Sequence, residues 1–199
     1  MKNLKLTLLL VLVTFSLFAQ KGKRDNLLIK TDIYTVMYSE VLEQPKWVEY
    51  EVKCPKGSAS RAGMDFFTND SVVTSSNPDY ADNVWDKGHC APAADFNCDK
   101  ETLRKTFSYM NCVLQHERLN RGVWRLLEVH ERDLAANAKV SVRLDVIFTP
   151  QCEKLSTGAT IPAAFKKSIY LNGKLAECYY FDNTAPASSD YNKYKVDCK

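Results

Sequence analysis

The chain has 199 residues, 45% of them hydrophobic and 26% charged, a composition that suits one compact domain with a real core and hardly leaves chain for a second. A formal net charge of +3 lacks the strong basic field of an avid non-specific DNA binder, so any nucleic-acid contact has to be local. Residues 1–20 read MKNLKLTLLLVLVTFSLFAQ. Lys2 and Lys5 make a charged start, an apolar run from Leu6 to Val13 follows, and a small-residue exit closes the segment, as in a secretory signal peptide cut between Ala19 and Gln20. The apolar run is too short to span a bilayer comfortably. Removing residues 1–19 takes away two lysines and no acid, which lowers the charge from +3 to +1. The expected organisation is a signal peptide at 1–19 and one domain at 20–199, secreted or periplasmic, with no membrane contact after cleavage. The cysteines at 54, 90, 98, 112, 152, 178 and 198 read as disulfides in an exported chain, and an odd count leaves one free or paired with another molecule. No C-x-x-C occurs, so their spacing is not that of a metal cluster.

In chain order, residues 21–30 read as a short, flexible, charged lead-in. IYTVMYSEVL and KWVEYEVKC are rich in β-branched and aromatic residues with EQP between them, which predicts a strand pair joined by a turn. PKGSASRAG is a loop by its Gly, Ser and Pro content, and TSSNPDYADN is a second loop leading into VWDKGH. After APAADFNCD the pattern turns helical, with Asp99 as cap of a helix through KETLRKTFSYM. A second helix is predicted to open at Asn120 and to stop at Asn137, with Val123, Leu126 and Leu127 on its apolar face and Gly122 weakening its first turn. VSVRLDVIF alternates as a sheet strand should. SIYL and ECYYF flank Asn172-Gly173 and predict a hairpin. The sum is one mixed α+β domain: sheet, helical middle, sheet again.

Of the histidines at 89, 116 and 130, the last reads as helix packing and His116 as a solvated loop residue. His89 stands in DKGHCAPAAD. There Asp86 can bond turn amides, Gly88 permits a tight bend and Lys87 adds a positive charge, so His89 is a candidate general base held at a rigid turn. In SYMNCVLQHERLNRGVWRLLE, Asn120, Trp124 and Glu128 recur every four positions along one side of a helix. An amide and a carboxylate there can be merely solvated, or can form a sparse magnesium site of one direct oxygen plus water-mediated contacts. Arg61 sits in a loop ahead of Asp65 and Phe66 and by itself says little.

Together these stretches resemble the DNA/RNA non-specific endonuclease family. Its Asp-Arg-Gly-His signature is matched by DKGH. Its Asn…Gln…Leu-Asn-x-x-x-Trp-x-x-Leu-Glu stretch is matched by Asn111, Gln115, Leu119-Asn120, Trp124 and Leu127-Glu128. YSEVLEQPKWVEYEV is similar to its opening hairpin and IPAAFKKSIY to its late strand. The match covers roughly residues 35–170. The resemblance implies a ββα-metal (His-Me finger) core within a mixed, mainly antiparallel sheet flanked by helices. It implies His89 as general base, Asn120 as direct ligand of Mg2+ or Mn2+, Glu128 as holder of metal-bound waters, and Arg61 and Arg132 as phosphate contacts. Asn111 falls on a further site position with a supporting role. Lys87 replaces the signature arginine, keeping the charge and losing the bidentate fork. DNA and RNA are the implied substrates, and a homodimer the implied assembly. Two competing readings are a catalytically silent nucleic-acid-binding domain and a phosphodiesterase on another substrate. A Cys90–Cys112 bridge would staple the base to the metal-site segment.

Overall fold

The computed structural model describes residues 22–69 and 71–199; the predicted signal peptide lies outside them. Strands β1 (Leu27–Lys30), β2 (Tyr34–Ser39) and β3 (Gln44–Glu51) form an antiparallel meander. The first of these replaces the expected flexible lead-in. Leu27 and Ile29 alternate with exposed neighbours and pack against the core, and pairing with β2 makes the four residues an edge strand. The sheet continues through β6 (Val140–Ile147), β7 (Ala164–Leu171), β8 (Lys174–Asp182) and the short β9 (Lys195–Val196), in the order β1-β2-β3-β6-β7-β8-β9 and antiparallel throughout. The β7–β8 turn falls at Asn172-Gly173 as predicted. Both residues have positive φ (50° and 80°), the conformation a tight hairpin requires.

Between β3 and β6 the chain builds a second unit. Strand β4 (Trp85–His89) pairs antiparallel with β5 (Cys112–His116), and β5 runs directly into helix. DKGH is therefore extended strand rather than a tight turn. Gly88 serves a different purpose from the expected bend, because a Cβ there would lie 2.6 Å from Gln115 Oε1 and 2.8 Å from its Cβ. The helix begins at Glu117, capped by the His116 ring, whose Nδ1 accepts from the Arg118 amide at 3.2 Å. It comprises α2 (Glu117–Leu119), a π turn (Asn120–Trp124) and α3 (Arg125–Ala135). Asn120 thus sits inside the helix and does not open it. The connecting helix α1 (Lys100–Lys105) carries the predicted cap, Asp99 accepting from the Thr102 amide at 2.7 Å, but stops well short of Met110. The Thr106 carbonyl is drawn off by the Asn111 side chain at 2.9 Å, so it is lost to a further turn.

The core lies between one face of the sheet and the helix. Val36, Val48, Leu144, Phe165 and Phe181 from the strands meet Leu119, Val123, Trp124 and Leu127. The Trp124 ring lies 5.5 Å from Phe165 and 5.4 Å from Phe181, edge to face. Leu126, expected in this face, is 37% exposed. The buried stripe runs through Val123, Trp124, Leu127 and Glu131, and Leu126 falls roughly 100° around the helix from Leu127.

Disulfides join Cys54 to Cys98 and Cys178 to Cys198, leaving Cys90, Cys112 and Cys152 as thiols. The Cys90–Cys112 bridge is not formed, and the pairing explains why. Cys112 stands opposite His89, so Cys90, one residue on, projects to the other face. The Cys112 thiol instead donates to the Tyr80 hydroxyl at 3.2 Å. No helix among the described residues is long and apolar enough to cross a membrane.

Candidate active site

His89 ends β4 and opens onto a cavity of about 650 Å³ walled by the 61–66 loop, the residues after His89 and the 120–132 helix. The ring is held between Phe66 (centroids 4.7 Å apart) and Phe107 (4.8 Å, edge-on). Burial, and then the charge of Arg61, push its pKa down to about 3. The imidazole is therefore neutral across the physiological range. Its Nε2 is shut off from solvent without a partner, which leaves Nδ1 as the nitrogen that can exchange a proton with the cavity.

The backbone behind His89 is pinned by Asn111. This fully buried side chain accepts from the Ala91 amide at 2.8 Å and donates to the carbonyls of Ala91 and Thr106 at 2.9 Å. Asn111 does not line the cavity; its place is that of a clamp on the segment after the histidine.

Across the cavity, the helix presents Asn120 and Glu128. Trp124, expected on the same side, is buried in the core. The π turn accounts for the difference. In an unbroken α-helix Asn120 would lie about 40° from Trp124 and nearly over Leu127, on the core face. The extra residue of the π turn, taken up at Gly122 (φ −101°, ψ −118°), rotates it by roughly another 100°, onto the side of Glu128. The Asn120 amide is then oriented by Asp86, whose carboxylate accepts from Nδ2 at 2.8 Å. Only the NH2 end can face a carboxylate, so Oδ1 is the free end. Asp86 also holds Arg121 through two bonds of 2.8 and 2.6 Å. This residue, read from sequence as a turn former, instead ties the ribbon to the helix.

Glu128 is half-buried, and its pKa is pushed up to about 7, by burial first. Lys167 and Arg132 pull it down, while Glu131 pushes it up. Behind it lies a buried charge cluster. Lys167 Nζ is 2.8 Å from Glu131 Oε1, both side chains fully buried, in a contact poorly aligned as a hydrogen bond. Nζ also sits 4.3 Å from the Trp124 ring centroid, and Glu131 Oε2 accepts from Tyr50 at 2.8 Å. Arg132 spends Nη1 on the buried Asp95 at 2.9 Å and still lines the cavity. Burial drives the Asp95 pKa upward.

The remaining predicted residues divide. Arg61 lines the cavity from its loop and is exposed. Lys87 also lines it but is tied back, pairing with Asp65 at 2.9 Å and lying over the Phe66 and Tyr109 rings at 5.7 and 5.6 Å. The sequence reading gave no role to Phe107, Asp95, Lys167, Arg121 or Arg125. The two arginines carried a signal in their spacing: Arg121 stands seven residues and Arg125 three residues before Glu128. The others had no local signal, because tertiary packing brings them to the site.

Among the described residues no cluster of three or more His, Cys, Asp or Glu side chains could hold a metal. An amide oxygen beside a carboxylate is nevertheless a fitting donor pair for a hard cation that keeps most of its waters. A ribbon histidine facing that pair across a cavity rich in arginine defines a ββα-metal protein.

The comparisons with known proteins agree. Residues 17–199 match the DNA/RNA non-specific endonuclease family, and the chain belongs to it; this is a family of metal-dependent nucleases, phosphodiester hydrolases. The chain is 28% identical over 194 residues to a nuclease of Serratia marcescens, covering 88% of this chain and 71% of that protein. It is 31% identical over 106 residues to the mitochondrial nuclease EXOG of Danio rerio, covering 51% of this chain and 31% of that one. To mitochondrial endonuclease G of Bos taurus it is 29% identical over 126 residues, 60% of this chain and 42% of the relative. The matched part thus spans less than half the length of these mitochondrial relatives. A crystal structure of the EndoG/EndoGI complex contains a chain of similar fold, with TM-score 0.77 and 23% identity over 87% of this chain and 81% of that one.

Proposed function

We propose that residues 20–199 form one exported nuclease domain that hydrolyses DNA and RNA phosphodiester bonds, with Mg2+ or Mn2+ as cofactor and His89 as general base. The observation that carries this reading is the meeting of a neutral, cavity-lining imidazole with the free Asn120 oxygen and the Glu128 carboxylate in one cavity. Export is supported by the character of residues 1–19 and by the two disulfides.

In this reading Asn120 Oδ1 and Glu128 hold the divalent cation, which when bound neutralises charge on the phosphate and its leaving 3′ oxygen. His89 takes a proton from water at Nδ1, and the hydroxide formed is aimed at phosphorus. The aromatic walls of Phe66 and Phe107 keep the ring neutral and fixed, so that it starts the reaction as a base. Arg61, and the part of the Arg132 fork not spent on Asp95, hold nonbridging oxygens. These contacts touch backbone rather than base edges, so cleavage has little sequence preference.

Incubation of the purified mature protein with plasmid DNA and with RNA, with and without EDTA, tests this. Both substrates are degraded only with metal, and His89→Ala loses roughly 10²–10⁴-fold in rate. An unimpaired His89→Ala variant refutes the assigned base. Binding without cleavage under any divalent metal leaves a silent nucleic-acid-binding domain.

A further inference from the structure

The cavity is lined by five cationic side chains, Arg61, Lys87, Arg121, Arg125 and Arg132, against two acids, Asp65 and Glu128, in a chain whose formal charge is only +3. Three of the five are already committed: Lys87 to Asp65, Arg121 to Asp86 and Arg132 to Asp95. Arg125 is not. It is exposed and, among the described residues, has neither an ion pair nor a side-chain hydrogen bond. It begins α3, three residues before Glu128, and Arg132 follows four residues after, so the three lie on one stripe of the helix facing the cavity. A guanidinium held open beside other cations, without a carboxylate partner, is unfavourable unless an anion arrives. The cavity, at about 650 Å³, is in the range that encloses a whole drug-sized ligand, more than one phosphodiester group needs.

Building on the nuclease reading, we propose that Arg125 binds the phosphate next to the one being cut. The site then engages a backbone segment of at least two successive phosphates, and prefers a polymer over an isolated phosphodiester. A planar fork suits this task, since it meets two oxygens of one phosphate at once.

The test is the salt dependence of binding. Affinity for a 20-base-pair DNA duplex is measured in EDTA over a range of KCl concentrations for wild type, Arg125→Ala, Arg125→Lys and Lys174→Ala, the last an exposed lysine of the β7–β8 hairpin away from the cavity. Arg125→Ala is expected to weaken binding roughly tenfold. It also flattens the slope of log K against log salt by about 0.9, the loss of one phosphate contact. Arg125→Lys keeps the slope, and Lys174→Ala behaves as wild type. Arg125→Ala raises KM on duplex DNA by a larger factor than KM on bis(4-nitrophenyl) phosphate, which has a single phosphate. An unchanged slope in Arg125→Ala, or an equal loss in Lys174→Ala, overturns the assignment. If wild type cleaves nothing while Arg125→Ala still flattens the slope, the nuclease reading fails and the phosphate contact stands. Intact cleavage with an unchanged slope gives the reverse.

Discussion

Strand β6 buries every second residue, Val140, Val142, Leu144 and Val146, and leaves those between half-exposed. Strand β5 buries four in succession, Cys112 to Gln115, and the last is a glutamine whose amide oxygen and nitrogen both lack partners. The first strand is covered on one face only. The second is buried on both faces, with β4 paired along its edge. In β6 the sheet follows binary patterning without a break. The ribbon–helix unit departs from it with an orphaned glutamine, a glycine kept bare for that glutamine, and a π turn in its helix. Such departures cost stability and are retained where they position chemistry.

The buried Lys167–Glu131 pair joins the two regions, since Lys167 stands in the sheet between Leu144 and Tyr179 and reaches the helix. Lys167→Met leaves Glu131 buried without its cation and costs about 3–5 kcal/mol in urea unfolding. Adding Glu131→Gln returns most of that loss if charge, rather than packing, is the reason.

Removing Asp86 acts on the site and spares the sheet. If Asn120 holds the metal as proposed, Asp86→Ala, by freeing its amide to turn, raises the Mg2+ concentration for half-maximal activity roughly 10–100-fold, the usual cost of losing a group that orients a ligand. Unfolding of the sheet, followed by far-UV circular dichroism, shifts far less. An unchanged metal requirement would show that the amide is held by other means.

Acid sharpens the contrast further. His89 has a folded-state pKa of about 3, below its unfolded value of about 6.5. Its contribution to stability is therefore fully present above pH 6.5. As pH falls from there toward 3, the unfolded chain takes up a proton that the folded chain resists, and stability is lost. The urea midpoint of wild type drops more between pH 7 and pH 5 than that of His89→Phe. The smallest effect is expected at Leu126→Ser, on the exposed side of α3, which changes stability by less than about 0.5 kcal/mol.

Much of the scaffold was legible from residue order alone. Alternation marked β6, Asn172-Gly173 marked the hairpin turn, and the Asp99 cap marked the start of α1, because each depends on neighbours within a few positions. The cut-off of α1 was not legible, since it depends on Asn111 reaching back to the Thr106 carbonyl. Nor was β1, whose four residues become a strand only because β2 lies beside them.

In the site, the residue types at 61, 89, 120, 128 and 132 were chosen by motif, and the structure brings all five to one cavity. Their assigned roles are matters for the experiments above. What residue order determined by itself was this set of chemical groups and the local periodicity of most elements, both short-range properties. Only the tertiary structure decided that DKGH is strand, that Asp86 aims the Asn120 amide, that a π turn parts Asn120 from Trp124, and that a lysine and a glutamate share the core. Each of these is a contact between residues distant in the chain, or a helix distortion that such contacts sustain, and local preference has no means of specifying either.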